Sequence, residues 1–193
     1  MIIELENKVD RIKQIRHDIL DFIDKDFFVE YGFLADFENG ELLDFIIGEN
    51  GEVNFWGHET LQKFSNIKHN LVNIHTHSYY FENGNVLSSE IYPSLEDFSL
   101  FIASRPIFKY HMIIATNETL FLEFHFDFIS VICIDHNSDY TLATIIKIDY
   151  PYFFKLPYIT SYHLIVFYNI INAIDEFYQK LGFSIKDNGI ILK

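Results

Sequence analysis

Asn73-Ile74-His75-Thr76-His77, followed by Ser94-Leu95-Glu96-Asp97, arranges two imidazoles, a hydroxyl and a carboxylate in an order that suits a catalytic metal. The apolar run Leu71-Val72-Asn73-Ile74 leads into the histidines, so the pair is expected at the end of a strand. Side chains alternate between faces along a strand, so His75 and His77 point the same way and can reach one ion. Imidazole together with carboxylate suits zinc. Three protein ligands (His75, His77 and Asp97) leave a fourth position open for water. A plain polar strand face also accounts for the spacing of the histidines. Ser94 to Asp97 also reads as a helix start, with Pro93 before a capping serine, an acid three residues on, and an apolar stretch beyond. The two readings of that segment are compatible, because a ligand at a helix N-terminus is held in place by the helix.

A hydrolytic metal site needs a general base. In Phe28-Val29-Glu30-Tyr31-Gly32-Phe33-Leu34-Ala35 a carboxylate interrupts an otherwise apolar, strand-like run. A buried carboxylate is costly unless it is paired, protonated or functional. An edge strand with Glu30 facing water is the other reading. Gly32 permits close backbone approach within a strand. Ser88 and Ser89 are rivals to Ser94, but neither has an aspartate three positions later.

Taken together, Glu30, His75-Thr76-His77, Ser94 and Asp97 resemble the motif of the JAMM (MPN-plus) metalloproteases: a distant glutamate, H-[ST]-H, then S-x-x-D. Glu30-Tyr31-Gly32-Phe33-Leu34 also looks like the stretch in which that family's glutamate commonly sits. The resemblance covers residues 27 to 135, the motif-bearing core. It implies an α/β fold, a single MPN-like (cytidine-deaminase-like) domain over residues 1–193 with a mixed sheet flanked by helices. It further implies that His75, His77 and Asp97 bind Zn2+ and that Glu30 takes a proton from water and passes one to the leaving amine. Ser94 would then donate to the oxyanion. The implied reaction is hydrolysis of a peptide or isopeptide bond in a protein substrate, such as a ubiquitin-like conjugate, without a covalent intermediate. A non-catalytic MPN-type scaffold and a RadC-like protein associated with DNA metabolism are the alternatives.

Two positions depart from the family pattern. Ser78 stands where a proline commonly follows the second histidine, and the sixteen residues 78–93 exceed the usual spacing to the serine. Residues 78–93 therefore read as an insertion. Asn83-Gly84 within it suggests a tight turn in a short hairpin that serves as a lid, a substrate flap or a plain surface loop.

The remaining elements must position these groups. An amphipathic helix is expected over 5–24, with Val9, Ile12, Ile15, Ile19 and Phe22 on one stripe. Strands follow near 27–36, 41–47 and 51–56, a helix over 58–69, and after the insertion a helix over 94–104. Strands near 109–116, 119–127, 129–135 and 141–149 precede a C-terminal helix over 160–181. On that helix Leu164, Phe167, Ile171, Ile174 and Tyr178 line one face. His17, His111, His125 and His163 read as satisfied core or surface histidines, and His58 with Glu59 as supporting groups near the site. Tyr150, Tyr152, Phe153, Phe154 and Tyr158, around Pro151 and Pro157, read as packing of an irregular segment or as a partner groove.

Composition narrows the function classes. With 193 residues, 49% hydrophobic and 18% aromatic, the chain has ample material for one core. A net charge of −14 without a basic block argues against a nucleic-acid surface. One cysteine, Cys133, permits no internal disulfide and no cysteine-rich zinc module, and its apolar surroundings suggest a buried structural thiol. Charged residues begin at Glu4 and recur through Arg16, so no secretory leader is expected, and a cytoplasmic protein is. Residues 156–174 carry no formal charge, yet their polar residues and Pro157 suit a core helix better than a membrane span.

Overall fold

Ile12, Ile15 and Ile19 recur at helical spacing in α1 (Ile2–Phe22) and are fully buried, which fixes that helix against one face of a sheet. The computed structural model describes residues 2–23, 29–48, 56, 58–64, 67, 70–78, 80–82, 85–87, 90–104, 107–148, 160–186 and 189–192. Beyond α1 they form β1 (Tyr31–Asp36), β2 (Leu42–Ile47), α2 (His58–Lys63), β3 (Leu71–Thr76), β4 (Tyr80–Glu82), β5 (Asn85–Leu87) and α3 (Leu95–Ser104). Then come β6 (Tyr110–Ile114), β7 (Glu118–Phe124), β8 (Phe128–Asp135), β9 (Thr141–Lys147), α4 (Ser161–Lys180), β10 (Phe183–Lys186) and β11 (Gly189–Leu192).

Seven strands make one mixed sheet in the order β2-β1-β3-β6-β7-β8-β9. Among the described residues only β3 and β6 run parallel; the chain between them passes through the β4–β5 hairpin and α3. Both faces of the sheet are covered, so neighbouring residues of one strand serve different cores. Ile114 and Met112 pack with Ile12, Ile15, Ile19, Phe33 and Phe121 on the α1 side. Ile113 and Ala115 pack with Phe98 and Phe101 of α3 and with Ile170, Ile174 and Phe177 of α4 on the other. This is the expected α/β layering of a mixed sheet flanked by helices.

Local chemistry sets several boundaries differently from the sequence pattern. The helix expected over 58–69 stops at Lys63, because Ile67 and Asn70 donate to carbonyls three residues back rather than four. α1 begins earlier than residue 5, and Phe22 is 50% exposed rather than core, although its ring meets Phe33 and Phe45. β1 begins at Tyr31, so Glu30 lies immediately ahead of the strand rather than within it.

On α4 the buried face is His163, Val166, Ile170, Ala173, Ile174, Phe177 and Tyr178. Leu164, Phe167 and Ile171 fall on its flank, because the helix is apolar around much of its circumference and periodicity alone does not choose the face. Thr160 caps it, its N–H donating to His163 Nδ1 at 3.0 Å. The β10–β11 hairpin after α4 was not anticipated from the sequence. Residues 51–55 of the strand expected over 51–56 lie outside the described residues, as do Ser88, Ser89 and the aromatic segment 149–159. Among the described residues no helix is long and apolar enough to cross a membrane. Cys133 is buried, and burial pushes its thiol far above the usual range, as befits a structural residue.

Candidate metal centre

β3 lies between β1 and β6, and His75 sits opposite Gly32 on one side and Ile113 on the other. His77 is one residue past the strand, yet its N–H donates to Ile114 C=O at 2.9 Å and so continues the ladder. Backbone pairing therefore holds both histidines in strand alternation, with both rings on the α3 face of the sheet. Thr76, between them, turns to the opposite face. It is fully buried, and its Oγ1 accepts the N–H of Tyr31 at 2.9 Å.

The third group arrives on α3. Ser94 and Asp97 form a reciprocal cap: Ser94 Oγ accepts Asp97 N–H at 2.9 Å, and Asp97 Oδ2 accepts Ser94 N–H at 2.7 Å. The helix is seated by Phe98, Phe101 and Ile102, with the Phe101 ring centred 5.9 Å from that of His75. This brings the Asp97 carboxylate over the end of β3. His75 Nε2 and His77 Nε2 are 3.1 Å apart, His75 Nε2 is 3.6 Å from Asp97 Oδ1, and His77 Nε2 is 3.9 Å from Asp97 Oδ2. One ligand atom from each of the three residues lies within 4.8 Å of the others.

Those separations suit one small cation. Four ligands at zinc bond lengths of about 2.0–2.2 Å stand roughly 3.3–3.6 Å from each other in a tetrahedron. The protonation states suit it too. His77 Nδ1 is 2.6 Å from the Glu90 carbonyl, a contact that is favourable only with the proton on Nδ1, which leaves Nε2 a lone pair. Burial pushes His75 down to about 4, reinforced by the neighbouring His77 and opposed by Asp97. Burial also lowers His77, against the pull of Asp97 and the Glu90 carbonyl. Both rings are neutral at pH 7, so neither has to give up an imidazolium charge to bind a metal. Their side chains remain 13% and 19% exposed and that of Asp97 23%, so the group is crowded but open to solvent.

Glu30 is not one of the three converging ligands. It is half-buried at the entry to β1, where its C=O accepts Gly48 N–H at 2.7 Å. Gly32 pairs opposite His75, and residue 30 shares the parity of Gly32, so the register places Glu30 on the histidine side of the sheet end. The glycine puts no side chain between them.

The chain matches no known family model, no curated protein and no solved structure.

Three contributors to this region went unread in the sequence. The Glu90 carbonyl orients His77 from within the 78–93 insertion. Trp56 Nε1–H donates to Asn73 Oδ1 at 3.0 Å, and the Asn73 amide stands 3.4 Å from His111 Nδ1. His111 lies beside Asn73 across the β3–β6 pairing and stacks near Phe101 at 4.4 Å. Its Nε2 has no hydrogen-bond partner among the described residues, so it is a buried histidine but not the satisfied one expected. Burial, then His75, lowers it to about 3. His125 and His17 instead face the carboxylates of Glu123 and of Asp18 and Asp21, away from the centre. The side chains of His58 and Glu59 lie outside the described residues. Within the insertion, β4 and β5 pair from Glu82 to Asn85, which bears out the hairpin; its Asn83-Gly84 turn is outside the described residues.

The cap gives Ser94 a structural task whatever else it does. Ser94→Ala should lower stability by about 1 kcal/mol, the typical worth of an N-cap, seen as a lower Tm. If the hydroxyl also donates to a developing oxyanion, turnover should fall by roughly a hundredfold or more. A lower Tm with an unchanged rate would leave Ser94 the cap alone.

Proposed function

We propose that the chain is a zinc-dependent peptidase or isopeptidase of the JAMM type, acting on a protein conjugate such as one made with a ubiquitin-like protein. The observation that carries this reading is the convergence of His75, His77 and Asp97 at ligand separations, with His77 Nε2 left unprotonated by the Glu90 carbonyl. The mixed sheet with helices on both faces and the capped helix over the strand end support an MPN-like fold.

Bound there, zinc would acidify water towards a pKa of about 7 and polarise the scissile carbonyl. The chain's residues supply the rest. His75 and His77 hold their lone pairs on one side, fixed by the ladder of β3. Asp97 offers its carboxylate from a helix start whose cap restricts its rotamer. Glu30, at the edge of the same face, is the base that takes the proton from the attacking water and hands one to the departing amine. Ser94 donates its hydroxyl proton to the oxyanion while its oxygen continues to accept Asp97 N–H.

The test is elemental analysis of protein purified without chelator, followed by cleavage assays on a panel of ubiquitin-like conjugates. About one zinc per chain is expected, with cleavage abolished by a chelator and restored by added zinc. No zinc even after addition would mean that His75 and His77 merely share a proton across their 3.1 Å separation, and the protein would then be a scaffold.

A further inference from the structure

β9 ends the sheet, and among the described residues nothing pairs with its outer side. Two hydrogen bonds fix which of its backbone groups face outward. Ile148 N–H donates to Asp127 C=O at 2.7 Å, and Tyr140 C=O accepts Asp135 N–H at 2.9 Å. By strand alternation, residues 142, 144 and 146 also turn their N–H and C=O towards β8. Thr141, Ala143, Ile145 and Lys147 therefore present theirs outward.

Natural sheet edges are blunted by bulges, prolines, charges or local hydrogen bonds. The other edge, β2, is treated in that way: its outward Phe45 N–H is occupied by Asp44 Oδ1 at 2.9 Å, and its register with β1 shifts between Leu34 and Ala35. Of these devices β9 carries only a charge at one end. Thr141-Leu142-Ala143-Thr144-Ile145-Ile146-Lys147 pairs with β8 without a register shift, contains no proline and has one charge, at its end. Ile145 is 61% exposed.

We propose that β9 is a dimerisation edge, pairing antiparallel with β9 of a second copy about a two-fold axis through Thr144. The strand read against itself carries the proposal. In this register Thr141 meets the partner's Lys147 and Ala143 meets the partner's Ile145. All four outward-facing residues then fall in hydrogen-bonded pairs. Moving the register by one residue sets outward groups against inward ones, and moving it by two leaves outward groups without a mate. Thr144 meets the partner's Thr144 in a non-hydrogen-bonded pair, where side chains approach closest. Ile145, exposed in one copy, is covered by the partner's Ala143. The two seven-stranded sheets become one.

Sedimentation and light scattering of the full chain should give twice 22.9 kDa at micromolar concentration. Ile145→Pro removes an outward N–H without touching the β8 ladder and should give a monomer with an unchanged circular dichroism spectrum. Thr144→Cys should cross-link on mild oxidation and Ala143→Cys should not; the native Cys133 is buried and does not interfere. If Ile145→Pro fails to fold, the cysteine pair decides. A wild-type monomer, a dimer indifferent to Ile145→Pro, or cross-linking through 143 in place of 144 would overturn the proposal.

Discussion

Asp97→Ala is expected to empty the metal centre while leaving the sheet in place. Asp97 supplies the only carboxylate among the three converging ligands, and its oxygens stand 3.6 and 3.9 Å from the two imidazoles. Losing a partner that only orients a ligand typically costs 10–100-fold in metal affinity. Losing a ligand outright should cost more than the upper end of that range. The same substitution removes half of the Ser94–Asp97 cap, at about 1 kcal/mol, or a fall of roughly 2–4 °C in Tm for a chain of this size. Asp97→Asn separates the two roles, because its amide oxygen still accepts Ser94 N–H but brings no negative charge to the metal. The expected pattern is low zinc in both variants and a lowered metal-free Tm only in alanine. Full zinc in Asp97→Asn would reduce Asp97 to a capping residue and remove the carboxylate from the proposed centre.

Glu30→Gln should give the opposite separation, with metal retained and turnover lost. Glu30 stands outside the ligand cluster, so zinc content should match wild type. General-base catalysis contributes typically 10²–10⁴-fold, and the amide cannot take a proton from water. Conjugate cleavage is therefore expected to fall by at least roughly a hundredfold. Equal activity would show that another group takes the proton. Loss of zinc would show that Glu30 reaches the metal itself.

The convergence of His75, His77 and Asp97 was more legible in the sequence than its surroundings, for physical reasons. A spacing of two at a strand end places His75 and His77 on one face, and S-x-x-D before an apolar run writes a helix start; both are local rules. Alternation and helical periodicity likewise located α1, β6 to β9 and α4. What failed depends on distant contacts. That His111 stands beside Asn73 follows from the parallel pairing of β3 with β6, which nothing in either segment states. The Glu90 carbonyl is a backbone group with no side-chain signature. The buried face of α4 was misread because several of its faces are apolar and the choice belongs to the sheet. The terminal hairpin is a different case: the sequence carries a turn-type dipeptide, Asn188-Gly189, between Phe183-Ser184-Ile185 and Ile190-Ile191-Leu192, and that signal was available.

Thr76 has a consequence for how this centre keeps its alignment. Its side chain leaves the histidine face and receives the N–H of Tyr31, the residue that follows Glu30. Glu30 and the histidine pair are thereby referenced to a single datum, as two machined parts located on one pin. A thermal displacement at the end of β3 carries both with it and changes their mutual spacing little. The residue between the two histidines is in this sense the jig of the sheet end, facing away from the imidazoles while setting their spacing to Glu30.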